Sequence, residues 1–191
     1  KSILLINDGI RPGEPDGIDA CIQLLDKLSK SDDITTTLKN LVICIIPVYN
    51  IDGALNRNST TRVNQDGPES YGFRGNARNF DLNRDFIKSE TLNAQSFAQI
   101  FRTWDPDVFV DTHVSNGADY QYVMTLIPTQ HNKLPLPLDN YLKQTMLPVL
   151  YQEMENVGFP MTPYVNEIKQ IPDEGIAGFL DLGRYSTGYT A

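Results

Sequence analysis

Three polar segments of the chain carry the residue types that do chemistry, and each lies beside an apolar run. Residues 7–17 hold Glu14 among Pro12, Pro15, Gly9, Gly13 and Gly17, a mixture that fixes the backbone tightly around its polar side chains. The segment serves either as a site loop or as a plain strand-to-helix connector with a solvated Glu14. Residues 111–117 hold His113, which is either a satisfied structural histidine or a base or metal ligand. Residues 73–86 gather Arg74, Arg78 and Arg84 with Asn76, Asn79 and Asn83. They form a solvated loop or, pinned by Phe80, Leu82 and Phe86, a carboxylate-binding cluster. Arginine offers a rigid bidentate fork to a carboxylate, and asparagine both donates and accepts.

These segments need a scaffold that brings them together. Residues 3–6 and 41–46 are continuous apolar runs of the kind found inside a parallel sheet covered on both faces. Ile18, Cys21, Ile22, Leu25 and Leu28 recur between them at helical spacing, which completes a right-handed βαβ unit. Residues 50–84 lack periodicity and read as a long loop, of the kind that is either functional or disordered. A helix is expected over 89–104, capped by Ser89 and stopped at Asp105-Pro106. Strands are expected over 108–110 and 120–127, and a helix over 138–156, kinked by Pro148. The class is α/β: a mixed, mostly parallel twisted sheet with helices on both faces, in a single domain over 1–191. In such sheets ligands bind beyond the carboxyl ends of the strands, where the loops after Ile6 and Val110 meet.

A net charge of -8 argues against nucleic acid, whose phosphates need clustered Lys and Arg. No run approaches the length of a membrane-spanning helix. Cys21 and Cys44 fall in apolar patterns and read as small hydrophobes, with a disulfide between them as the alternative. The chain opens on Lys1 inside a strand pattern and ends at Ala191 without a cap, so both ends read as cuts.

Taken in order, the segments resemble the M14 family of zinc carboxypeptidases. The family's His-x-x-Glu, Asn-Arg and strand-end His correspond to Arg11-x-x-Glu14, Asn83-Arg84 (preceded by Asp81) and His113. Residues 47–53 resemble its Pro-x-x-Asn-Pro-Asp-Gly turn. The resemblance covers residues 1 to about 120. It implies that Glu14 and His113 bind zinc and that Asn83 and Arg84 hold a substrate's terminal carboxylate. It further implies that Arg78, or else Arg74, polarises the scissile carbonyl, and that Asp81 orients the first metal ligand. The implied activity is removal of a C-terminal residue from a peptide by metal-activated water. Alternatives are a non-catalytic carboxylate- or peptide-binding relative that has lost zinc, and a related amidase or deacylase. The implied partner is a peptide with a free C-terminal carboxylate, and the family's secreted or periplasmic habit is the only pointer to localisation.

Two departures stand out. Arg11 occupies the first ligand position, where a guanidinium has no lone pair and repels a cation. Tight zinc binding is therefore expected to be lost, with Arg11 taking the metal's place against Glu14, Asp81 or both. The family's general-base Glu would fall just past Ala191, after a segment resembling residues 178–182, and its substrate-capping Tyr has candidates in Tyr164, Tyr185 and Tyr189.

Overall fold

The computed structural model describes residues 1–31, 34–62, 68–115 and 120–164. The chain divides into two compact units, Lys1–Val114 and Ser115–Ala191.

In the first unit, β1 (Ser2–Asn7) lies between β2 (Leu41–Ile46) and β3 (Val108–Asp111), parallel to both. The strands are the apolar runs that the sequence marks, with the buried half of β1 at its carboxyl end. Helix α1 (Asp16–Ser29) makes the crossover from β1 to β2. A single turn, α2 (Ile34–Thr37), precedes β2, and α3 (Ile51–Leu55) follows it, capped by Asn50. Asn50 accepts from the Gly53 amide and donates to the Arg74 carbonyl, so it ties the start of the polar loop to its far end. The core is built from Leu5, Ile10, Tyr49, Leu82 and Phe97. Around it Tyr49, Phe86, Phe97, Phe101 and Phe109 meet in tilted and edge-on pairs 5.2–6.4 Å apart, the arrangement that ring quadrupoles favour.

Helix α4 runs Leu92–Trp104 and begins two residues later than the Ser89 cap implies. Thr91 is the cap. Its hydroxyl accepts from the Ala94 amide and donates to buried Asp85, which also takes the Glu90 and Thr91 amides. Ser89 is instead left-handed, at φ 51, and bonds back to Phe86. The helix ends at Asp105, itself left-handed at φ 44, ahead of Pro106.

In the second unit the strand expected over 120–127 is shorter. Only Met124–Leu126 (β4) pairs, in parallel, with Met161–Pro163 (β5). The expected long helix is α5 (Leu136–Tyr141) continuing through a π turn at Leu142–Met146 into α6 (Leu147–Asn156). Pro148 explains the interruption, because it supplies no N–H and its ring crowds the preceding turn. Among the described residues no helix is long and apolar enough to cross a membrane. Cys21 and Cys44 are free thiols, Cys21 buried and Cys44 packed against the core.

Leu82 is fully buried in the short 3₁₀ turn Leu82–Arg84 that carries Asn83 and Arg84. We expect Leu82→Ala to cost about 2–5 kcal/mol, the usual penalty for a large-to-small change in a packed core, measured by urea unfolding.

Candidate active site

Strand register brings the first and last polar segments together. Asn7 and Asp111 are partners across β1 and β3, and the Asn7 side-chain amide donates to Asp111 Oδ1 at 2.8 Å. One residue further along, the Thr112 hydroxyl donates to Asp8 Oδ1 at 2.7 Å. Gly17 makes this approach possible. A Cβ there would lie 2.0 Å from Thr112 Oγ1 and 2.8 Å from Asp8 Oδ1. The two strand ends are therefore tied before either functional side chain is placed.

Beyond that tie, Glu14 and His113 meet. Glu14 Oε2 accepts from the Val114 amide at 3.0 Å and faces His113 Nδ1 at 2.9 Å. Glu14 Oε1 takes Arg62 Nη1 at 2.8 Å and lies 3.6 Å from Arg11 Nη1. The Glu14 side chain is 1% exposed, and Arg11 and Arg62 are buried with it. His113 is held from its other side too, with Nε2 2.8 Å from Asp111 Oδ2 and 3.5 Å from Asn83 Nδ2.

The electrostatics follow from this packing. Burial works against ionising Glu14, but His113, Arg11 and Arg62 outweigh it and hold the carboxyl at about 2 against an ordinary 4.5. Burial likewise opposes a charged His113, and Asp111 and Glu14 overcome it, pushing the imidazole up to about 9 from 6.5. Burial lowers the Arg11 guanidinium, offset by Glu14, with Arg74 and Arg84 pushing the same way as burial and Asp81 against it.

Of the remaining candidates, Asn83 is buried beside His113, and Arg84 Nη1 donates to the Asn83 carbonyl at 2.8 Å. Asp81 caps their turn through the Asn83 amide and accepts both Nε and Nη2 of Arg74, at 2.9 and 2.7 Å. Its carboxyl is therefore lowered despite burial. Asp81 thus holds Arg74 and acts on Arg11 through its charge, while the carboxylate against His113 Nε2 is Asp111. Arg78 is exposed, with its guanidinium 5.5 Å above the Phe80 ring, and no hydrogen bond or ion pair among the described residues joins it to Glu14 or His113. Tyr164 is buried against the Tyr120 ring in the second unit. Tyr185, Tyr189, residues 178–182 and the end of the 111–117 segment (116 and 117) lie outside the described residues.

Arg62 was not visible as a site residue in the sequence. It sits in the aperiodic loop, with no motif around it. One structural signal marks it in retrospect: Gly13 packs against it, and a Cβ on Gly13 would lie 3.0 Å from Arg62 Cγ and 2.8 Å from the Gly72 carbonyl.

The donor set does not fit a zinc ion. A catalytic zinc takes three protein ligands with free lone pairs. Here both Glu14 oxygens are engaged, both His113 nitrogens face carboxylates, and the third position is a guanidinium. Among the described residues no three His, Cys, Asp or Glu side chains converge as a metal would require.

The zinc carboxypeptidase (peptidase M14) family matches residues 1–143, and the chain belongs to that family of peptidase-type hydrolases. Its fold is similar to that of a metallo-carboxypeptidase from Burkholderia cenocepacia, with a TM-score of 0.61 at 17% identity over 88% of this chain and 42% of that one. It is also similar to a metallo-carboxypeptidase from Pseudomonas aeruginosa in complex with (2-guanidinoethylmercapto)succinic acid. There the TM-score is 0.63 at 16% identity, over 98% of this chain and 44% of that one. The chain thus spans less than half the length of either. No curated protein sequence gives a significant match.

The cluster makes stability depend on pH in a defined way. Glu14, depressed on folding, contributes fully above pH 4.5 and loses its contribution as pH falls toward 2. His113, raised on folding, contributes fully below pH 6.5 and loses its contribution as pH rises through 9. Glu14→Gln strands two buried guanidinium groups and should cost about 3–5 kcal/mol in the window between. Denaturant unfolding of both proteins from about pH 2 to about pH 9 should show the gap narrowing at each end. A gap constant with pH would contradict the assignment.

Proposed function

We propose that the protein containing this chain engages peptides through their free C-terminal carboxylate, and that the residues described here supply anion recognition rather than metal chemistry. The observation that carries this reading is the charge balance around Glu14. Arg11, Arg62 and protonated His113 surround Glu14, and Arg74 and Arg84 lie about Arg11 and Asp81, a local surplus of positive charge even with Asp8 beside Asp111, within a chain whose net charge is -8. Such a surplus suits a carboxylate, and guanidinium groups bind one with directional, charge-assisted hydrogen bonds.

In this reading Arg84 and Asn83 receive the terminal carboxylate. Asp81 and Leu82 hold the turn that presents them, one by capping and the other by burial. Arg74 is committed to Asp81 and positions the loop. Arg78, exposed and 5.5 Å above the Phe80 ring, meets a peptide backbone carbonyl in the same reading. Removal of a C-terminal residue by metal-activated water is the family's chemistry, and it needs a donor set that Glu14 and His113 do not offer as they stand.

Calorimetric titration with short peptides tests the proposal. A peptide with a free carboxyl terminus should bind, and its amide should bind at least about tenfold more weakly, as the loss of a charged hydrogen bond worth about 1.5–3 kcal/mol requires. Arg84→Ala should weaken the free peptide by a similar factor and leave the amide unchanged. Equal binding of the two peptides would refute carboxylate recognition.

A further inference from the structure

The centre at Glu14 is already filled by cations that belong to the protein. Arg62 meets Oε1 as a close hydrogen-bonded ion pair. Arg11 lies at 3.6 Å, beyond a hydrogen bond but well within ion-pair range. Its remaining donors, Nε and Nη2, are buried without a hydrogen-bond partner. Hydrogen bonding therefore does not explain where Arg11 sits. What it contributes beside Glu14 is a fixed positive charge, the property that a metal ion would bring to the same carboxylate.

The backbone is shaped around this arrangement. Gly13 gives up its Cβ so that the Arg62 side chain can cross it, and Gly72 lies so close to Pro12 that a Cβ there would come within 2.5 Å of the ring. These contacts lock the Arg62 loop against the Arg11–Glu14 loop. Release of either guanidinium to admit a metal would disturb both.

We propose that Arg11, supported by Arg62, stands in for the family's metal at the Glu14–His113 centre, so that this chain excludes divalent zinc and is held together there by guanidinium–carboxylate pairing. The reasons are geometric and electrostatic. Every Glu14 oxygen already has a partner, and a divalent ion bound beside them would sit next to a guanidinium that cannot lose its charge. Arginine suits the position because its charge does not titrate away and it offers no lone pair to a metal. The inference shares Arg11, Arg62 and His113 with the charge balance invoked for peptide binding, but it rests on their geometry at Glu14 and does not require that a peptide bind at Asn83 and Arg84.

Zinc content and thermal stability test it without an activity assay. Wild-type protein, Arg11→His and Arg11→Gln are each incubated with zinc, dialysed and analysed for bound metal, and their melting is followed with and without zinc. Wild type should retain no zinc and show no shift in Tm. Arg11→His, which completes a His-Glu-His set, should retain one zinc per chain and melt higher with zinc than without. Arg11→Gln removes the charge without adding a strong ligand, so it should bind zinc at least about tenfold more tightly than wild type, and it carries the test if Arg11→His folds poorly. Stoichiometric zinc in the wild type would overturn the proposal. So would failure of both variants to bind zinc, because Arg11 would then not be the excluding group.

Discussion

A carboxylate that is almost fully removed from water must be met by positive charge and hydrogen-bond donors, or it will take up a proton instead. Glu14 is such a group, and the first unit is arranged to satisfy it. Two guanidinium groups, an imidazole and a backbone amide converge on its two oxygens. They come from the loop after β1, from the long polar loop and from the end of β3, so one buried charge joins three segments that lie far apart in the chain. The ionised state of Glu14 and the protonated state of His113 reinforce each other, because each is what the other needs for partnership.

The fold earns this junction through ordinary sheet physics. Parallel strands bring their carboxyl ends to one edge of the sheet, and the Asn7–Asp111 pairing sets the register at that edge. Glycines at 13 and 17 allow side chains from other segments to cross the loop at contact distance. Behind the edge, the Tyr49–Phe97–Phe109 aromatic core fixes β3 and α4 relative to β1, while Leu82 anchors the turn that places Asn83 beside His113.

Much of the scaffold was legible in the sequence because burial on both faces leaves continuous apolar runs, as in residues 3–6 and 41–46. The meeting of the loops after β1 and β3 followed from the topology of parallel sheets. Other features depended on contacts that local pattern does not encode. Thr91 caps α4 instead of Ser89 because Asp85, six residues before it, takes its amide and hydroxyl. The carboxylate against His113 is Asp111, two residues away, and Asp81 bonds Arg74, a residue that no local pattern pairs with it. Arg62 could not be singled out, since nothing local distinguishes one arginine in a polar loop, and its role exists only once Gly13 lies beneath it. Arg11 was conspicuous from the start because it breaks a motif, and its burial against Glu14 gives that break a physical meaning.

The most direct measurement is the titration of His113 by nitrogen-detected NMR, with and without added zinc. The account predicts both ring nitrogens protonated at neutral pH, a midpoint near 9, and no change when zinc is present. A neutral single tautomer with a midpoint near 6.5, or resonances that move when zinc is added, would contradict it.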